Sequence, residues 1–278
     1  MPHAIVIPVD LNQPIRQQHL NKNDLDAYRQ VVGGPLELVN LDRPEAGMYF
    51  HGEGKLDGLP VNARATVLLW VHNRAFRGQD MIVGPALLVG PPDANGNDLD
   101  CPEDLVDLLF HSSRYLAQMH VKGDMLWHGD NQVFEQWFDA YVHAVRLTQR
   151  WKILDEVRVI PQLNDALRES WYQLGLSDPW ISQAGDPPFT RGSFVGCYSV
   201  EELEQRLRFT NWSLGTAFYY RDLCFIQQVD GGDEWLTIRH GIAFESMTLM
   251  PFIEQGEFAP LVRRLLAASK EQCEMLTY

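Results

Sequence analysis

The sequence has no excess of basic residues and no long apolar run. Its 278 residues carry 23 lysines and arginines against 37 aspartates and glutamates, a formal net charge of −14. A protein that grips nucleic acid or anionic lipid through a basic face needs the opposite balance. No stretch approaches the roughly 20 apolar residues of a membrane-spanning helix, and the chain does not open like a signal peptide. We therefore expect a cytoplasmic protein with no direct nucleic-acid grip and no membrane contact.

Cysteine is scarce as well, and its spacing excludes the common cysteine-based sites. The four cysteines are Cys101, Cys197, Cys224 and Cys273. They lie far apart and include no C-x-x-C pair. In a chain of this size the pattern predicts buried reduced thiols rather than a disulfide framework or a zinc site.

The histidines of the middle third do not have the spacing of metal ligands. They are His111, His120, His128 and His143. Two ligands on one helix face need a separation of three or four residues, which no pair of these has. Assembly of the four from different helices stays open, but we predict no metal and no cofactor.

The composition that remains is that of a soluble globular protein, with 45% hydrophobic, 11% aromatic and 22% charged residues. The negative charge is evenly spread, since residues 1–100 carry −4 and residues 101–185 and 186–278 carry −5 each. An even excess favours a solvated acidic surface over an acidic tail. The alternative is a surface that imitates the phosphate backbone of DNA and occupies a DNA-binding protein.

The first part of the chain, residues 1–98, has the pattern of a small α+β unit. Its predicted strands are Ala4–Val9, Leu36–Leu41, Met48–His51 and Met81–Val89. One helix is predicted from the cap Asn23-Asp24 to Val31, and another over Ala63–His72 after the cap Asn62. A cluster of breaker residues at 90–97 closes this part.

The other two parts differ from each other in their apolar periods. Residues 101–177 repeat apolar side chains every three to four residues, which predicts a central segment of three helices. Residues 189–278 predict a second α+β unit, with a capping box at Ser199 and an antiparallel meander that turns at Arg221-Asp222. A closing helix is predicted over Phe258–Leu276. The expected fold class is α+β, two small α+β units flanking a central helical segment.

Four blocks of the first part, in this order, resemble a small domain of unknown function. The blocks are Val31–Leu38, Met48–Leu56, Leu59–Thr66 and Ile82–Val89. That domain recurs in phage, plasmid and other mobile-element proteins of bacteria, especially actinobacteria. The resemblance covers about a third of the chain, and it implies a mobile-element accessory protein without assigning catalytic residues.

Asn62 and Arg64 form the first candidate ligand site. Free backbone N–H groups at a helix start, together with an arginine, can hold a phosphate or a carboxylate. The alternative is that Asn62 only caps the helix and that Arg64 pairs with a nearby acid such as Glu37.

The string Trp127–Asn131 is similar to the His-Gly-Asp motif of aminoglycoside-type phosphotransferases. Those enzymes place a magnesium-binding Asn five residues after the Asp, where this chain has Glu135, and a Gly-rich phosphate loop is missing. We therefore predict a helix start here, with Asp130 or Asn131 as the cap.

The string Asp230–Trp235 is the most distinctive of the chain. Its double glycine permits a tight turn, and Asp230, Asp233 and Glu234 concentrate carboxylates beside Trp235. Together with Trp212 from the aromatic-rich last part, these residues predict a surface that contacts a basic partner. A hairpin connection with solvated acids is the alternative.

The sequence favours a cytoplasmic, non-enzymatic accessory protein of a phage or plasmid that binds a protein partner through acidic and aromatic surfaces. A basic DNA-handling or host-defence protein is the expected partner, and the oligomeric state is undetermined. The alternative is a small-molecule or nucleotide-binding enzyme with its site near Asn62 and Arg64, or near Asp233 and Glu245.

Overall fold

A computed structural model describes most of the chain. The described residues are 3–21, 24–123, 127–162, 194–208, 217–227, 234–239, 242–243, 247–269 and 272. The chain forms two compact units, residues 1–160 and residues 161–278. Helices and mainly antiparallel sheets occur in both, which confirms the predicted α+β class.

A five-stranded antiparallel sheet organises the first unit, in the order β2-β1-β5-β4-β3. Its strands are β1 (His3–Ile7), β2 (Arg16–His19), β3 (Leu36–Asp42), β4 (Glu45–His51) and β5 (Ala86–Val89). The apolar strands β1 and β5 are buried nearly throughout and occupy the middle of the sheet. Edge strand β3 alternates instead, with Val39 and Leu41 buried and their neighbours exposed.

Two helices of the first unit begin and end as their sequence signals predict. Helix α1 (Leu25–Val32) starts where Asp24 accepts a hydrogen bond from the Ala27 N–H, and it ends at Gly33 in the left-handed conformation, φ 85°. Helix α2 (Ala63–His72) starts at Asn62. Helix α1 packs Tyr28 and Val32 against one sheet face.

The middle of the chain corrects the prediction of an all-helical segment. Helix α3 (Glu103–Val106), which continues as a wider turn to His111, is followed by β6 (Tyr115–Val121), β7 (Trp127–Phe134), α4 (Trp137–Arg150) and β8 (Leu154–Pro161). The three strands form a sheet in the order β7-β6-β8.

The wrong assignment has a simple physical cause. Tyr115 and Met119 are four residues apart, a spacing that puts both on one face of a helix and equally on one face of a strand. Likewise Asp130 lies within β7 and caps no helix, since α4 begins after Gln136. The third predicted helix, at 163–174, lies outside the described residues.

Hydrogen bonds connect the chain just after the predicted domain boundary, near residue 98, to strand β1. The Cys101 N–H donates to the His3 carbonyl (2.8 Å), and the His3 N–H donates to the Asp100 carboxylate (2.7 Å). Any side chain at Gly90 would overlap the Asp100 carbonyl, so this close approach requires glycine. The division of the chain near residue 98 stays a prediction.

Within its described residues, the second unit has a mixed sheet and three helices. Its elements are β9 (Phe194–Gly196), α5 (Val200–Arg208), β10 (Ala217–Tyr220), β11 (Leu223–Gln227), β12 (Glu234–Arg239), β13 (Ile242–Ala243), β14 (Met247–Thr248), α6 (Met250–Glu254) and α7 (Phe258–Ala267). The meander β10-β11-β12 and the turn at Arg221-Asp222 are confirmed, whereas the described closing helix ends at Ala267. Aromatic side chains of three strands and α7 fill the core.

Cys101, Cys197 and Cys224 are buried, as predicted, and form no disulfide within the described residues, which exclude Cys273. Among the helices that the structure describes, none is long and apolar enough to cross a membrane.

A buried hydrogen bond joins helices α2 and α4. The His72 Nε2 lies 2.6 Å from the Tyr141 hydroxyl, and the His72 Nδ1 contacts the Arg43 carbonyl. Because a carbonyl only accepts, Nδ1 carries the proton, and Nε2 accepts from Tyr141. Burial lowers the pKa of His72 to about 4, with the Arg43 carbonyl opposing the shift, and raises the pKa of Tyr141.

We expect His72 to make the first unit less stable in acid. Its folded pKa of about 4 is below the ordinary 6.5, so its stabilisation is complete above pH 6.5 and is lost as the pH falls through 4. The loss is about 3 kcal/mol at 1.36 kcal/mol per pKa unit. Urea unfolding between pH 7 and 4 should show a weaker pH dependence in His72→Gln than in the parent. The exposed His111→Gln is the control, and equal slopes in all three proteins contradict the assignment.

Candidate interaction surface

At one end of the first sheet, strands β1 and β4 finish and strands β2, β3 and β5 begin. The connections at this end are residues 8–15, 33–35, 52–62 and 80–85. We call these residues the acidic end, for the charge described below. Loops that a rigid scaffold holds together are a common location of binding residues.

Asn62 fixes two of these connections to the start of α2. Its side chain is fully buried, and its Oδ1 accepts from the Ala65 N–H (3.1 Å) as the helix cap. The Asn62 Nδ2 donates to the carbonyls of Ile7 (2.8 Å) and Gly84 (3.0 Å). The predicted cap is confirmed, and the same side chain also joins the end of β1 to the segment that precedes β5.

Arg64 holds the connection between β1 and β2. Its guanidinium donates to the carbonyls of Pro8 (2.7 Å), Asp10 (2.7 Å) and Gln13 (2.8 Å), and the residue is only 6% exposed. Burial lowers the pKa of Arg64, and the nearby Asp10 partly offsets this. The polar contacts of Arg64 are thus with the backbone of this connection. A ligand at Asn62 and Arg64 stays a prediction.

The structure does not bring Glu37 to Arg64. Glu37 is exposed on edge strand β3, opposite Phe50, whereas the carbonyls that Arg64 contacts follow β1. These two strands are three positions apart in the sheet, about 14 Å at the usual strand spacing. Asn62 and Arg64 are therefore a buried pair, and the expected pairing of Arg64 with Glu37 does not form.

Large apolar side chains are exposed at the acidic end. They are Leu56 (89% exposed), Leu11 (56%), Val61 (49%) and Met81 (44%). Val61 forms an isolated β-bridge with Val83, and Leu11 belongs to the loop that Arg64 holds. The sequence pattern does not single out these residues, because an isolated apolar residue between turn residues shows neither a helical nor a strand period. The feature that could have identified them is an apolar residue within a solvated loop whose other residues are mostly polar.

Carboxylates occur in the same connections as these apolar side chains. The four connections contain Asp10, Glu53, Asp57 and Asp80 against the single cation Lys55, which forms an ion pair with Asp80. That contact holds the pKa of Asp80 below its ordinary value. The acidic end is therefore negative and apolar at once.

His51 lies at the same end, packed on a glycine. The residue is 7% exposed, its Nδ1 is buried with no hydrogen-bond partner among the described residues, and its Nε2 is 3.6 Å from an Asp57 carboxylate oxygen. A side chain at Gly34 would overlap the His51 imidazole. The Gly33-Gly34 pair thus serves two purposes, since Gly33 ends α1 and Gly34 admits the imidazole.

A second buried polar cluster lies on the sheet face that α1 covers. Asp98 is 6% exposed and accepts a hydrogen bond from the Tyr49 hydroxyl (3.2 Å). Burial and the Asp98 carboxylate raise the pKa of Tyr49 to about 12, and the same causes raise that of Tyr28. A phenol with a raised pKa is a poor proton donor at neutral pH, so the cluster favours a structural role over acid catalysis.

The surface predicted around Asp230–Trp235 is largely outside the described residues, which exclude Trp212, Asp230 and Asp233. Glu234 begins β12. Trp235 is only 2% exposed, and its ring centroid lies 6.2 Å from that of Phe218. This corrects the placement of Trp235, because its indole packs in the hydrophobic core of the second unit and does not face a partner.

The central histidines have separate neighbours. His111 pairs with Asp107 (2.8 Å), His143 pairs with Asp130 (2.6 Å), and the His120 ring lies 5.2 Å from that of Trp127. Within the described ranges, no group of three His, Cys, Asp or Glu side chains could hold a metal ion.

Fold and surface together define an α+β domain whose exposed apolar and acidic residues meet at one sheet end. Residues 3–118 match the family model described as a domain of unknown function, DUF3846. The match contains the whole five-stranded sheet, α1 and α2, and it ends within β6. No curated protein and no solved structure matches the chain.

We expect Arg64→Leu to lower the free energy of unfolding by about 3 kcal/mol, because it leaves buried carbonyls without donors. Hydrogen exchange should accelerate first at residues 8–15. Urea unfolding with exchange mass spectrometry measures both effects. Arg29→Leu, at an exposed ion pair, is the matched control. Equal losses in the two variants would contradict this role of Arg64.

Gly34→Ala should cost about 2 kcal/mol, because the added methyl overlaps the His51 ring. The double variant with His51→Ala should recover part of that loss, which a double-mutant cycle measures. Gly52→Ala is the matched control, because Gly52 likewise has no positive φ and a methyl there would make only ordinary contacts, at 3.4 Å or more. Strict additivity of Gly34→Ala and His51→Ala would contradict the packing argument.

Proposed function

We propose that this protein is a non-enzymatic accessory protein of a phage or plasmid that binds a basic protein partner at the acidic end. One observation carries the proposal, the exposure of Leu11, Leu56, Val61 and Met81 at the same end of one sheet. Single exposed apolar residues are ordinary, but several at one place are typical of a contact surface.

Charge indicates the kind of partner. Asp57 directly follows Leu56, the preceding Lys55 is paired with Asp80, and Asp10 precedes Leu11. Carboxylates around an apolar centre favour a partner with lysines or arginines around an apolar surface of its own, and they speed the encounter. The chain's net charge of −14 acts in the same direction.

Rigidity supports binding as well. Hydrogen bonds from Asn62 and Arg64 hold the connections on either side of the apolar group before any partner arrives. A surface that is already ordered loses less conformational entropy on association. The two residues then act as positioning residues of a protein-binding surface.

The mobile-element context rests on the resemblance of the first third of the chain. A DNA-handling or host-defence protein has the basic surface that the acidic end fits, and occupation of its DNA site is the mechanism that this charge suggests. The contacts of Asn62 and Arg64 weigh against the enzyme alternative, since the Asn62 amide nitrogen and the two terminal nitrogens of Arg64 donate to backbone carbonyls. Asp233 and Glu245 lie outside the described residues.

A photo-crosslinking residue at position 56 tests the proposal in cells, and one at Leu25, exposed at the opposite end of the sheet, is the control. The protein captured only from position 56 is then purified, and its affinity is measured by calorimetry at 50 and 300 mM salt. We expect Leu56→Asp to weaken binding at least tenfold, Leu25→Asp to change it little, and higher salt to weaken it. Equal capture at the two positions, or an affinity that Leu56→Asp leaves unchanged, overturns the proposal.

A further inference from the structure

A basic and apolar turn stands out in this acidic protein. Residues 150–153, between α4 and β8, expose Trp151 (49%) and Ile153 (63%) beside Arg150 and Lys152. We call residues 150–153 the basic turn. No carboxylate occurs between residues 140 and 154, although acids outnumber bases in the chain.

Three cations lie at or near the basic turn. Arg146, Arg150 and Lys152 are exposed, and none has an ion pair or side-chain hydrogen bond within the part of the chain that the structure describes. The next cations do have partners, since Arg74 pairs with Asp155 and Arg43 pairs with Glu156 (2.8 Å). The positive charge at the basic turn is therefore available to a partner.

The basic turn and the acidic end lie at opposite ends of the first unit. Helix α2 begins at the acidic end with Asn62 and runs ten residues, about 15 Å, to the other end of the sheet. Arg74 follows that helix, and Arg43 lies in the turn between β3 and β4. Their ion pairs with Asp155 and Glu156 place the start of β8, and so the basic turn, at that far end.

We propose that the basic turn of one copy of this chain docks on the acidic end of a second copy. The proposal rests on the proposed function, because it names an occupant of the same surface. The two surfaces match in chemistry, with Trp151 and Ile153 facing Leu11, Leu56 and Met81. Arg150 and Lys152 face Glu53 and Asp57.

The geometry makes this association head-to-tail. Different surfaces meet across such an interface, so each copy keeps one free acidic end or one free basic turn and can add another neighbour. Repulsion between two −14 chains opposes association in any orientation, and the head-to-tail orientation offsets it in part by bringing opposite charges together. The contact is therefore weak, and it depends on protein concentration and on salt.

Sedimentation velocity over a concentration series at 150 mM salt tests the docking with the full chain. The reversals Arg150→Glu with Lys152→Glu, and Glu53→Lys with Asp57→Lys, should each weaken self-association at least tenfold. An equimolar mixture of the two double variants should associate again, because the reversed acidic end then meets the reversed basic turn. Arg263→Glu with Arg264→Glu, exposed in the second unit, makes the same charge change as the first variant and should have no comparable effect.

Recovery in the mixture supports the docking. A parent chain that stays monomeric at all concentrations, variants that associate like the parent, or a mixture without recovery overturns it. Binding of DNA or anionic vesicles by the basic turn, in a parent that stays monomeric, also overturns it. Capture of a different protein at position 56 with a monomeric parent leaves the proposed function standing and removes this inference alone.

Discussion

The acidic end depends on the hydrogen bonds that Asn62 and Arg64 donate to backbone carbonyls. A buried carbonyl without a donor costs about 1–3 kcal/mol, and the connections around β1 and β5 present several such groups to the start of α2. At the start of that helix, the side chains of Asn62 and Arg64 donate hydrogen bonds to five of these carbonyls. Loops rich in proline, glycine and asparagine thereby keep one shape, and Leu11 and Val61 remain exposed on it.

Charge that is even along the sequence becomes uneven in space. Each third of the chain carries −4 or −5, yet the first unit has a negative apolar end and a positive apolar turn. The antiparallel order of the sheet produces the negative apolar end, because it brings connections from distant sequence positions to one end of the sheet. Helix α2 and the ion pairs of Arg43 and Arg74 place the positive apolar turn at the opposite end of the first unit. An interaction through either surface is therefore a property of the fold.

Local signals in the sequence predicted local structure well. Asp24, Asn62 and Gly33 mark helix ends where the structure has them, because a cap satisfies groups within one turn of its own position. Tyr115 and Met119 misled the assignment of β6, because a four-residue spacing fits a strand as well as a helix. Trp235 belongs to the core, although its acidic neighbours in the sequence indicate a surface. Neighbours in sequence do not reveal which face of a strand is covered.

By itself the sequence determined the α+β class, most helix ends of the first unit, the buried thiols and the acidic balance. These features depend on residue type and on contacts within a few positions. Only the tertiary structure decided that Arg64 holds a loop far away in sequence, that Glu37 lies three strands from that loop, and that Leu11, Leu56 and Met81 are exposed at the same end of one sheet. The reason is that strand order and register bring distant residues together, and no local period encodes them.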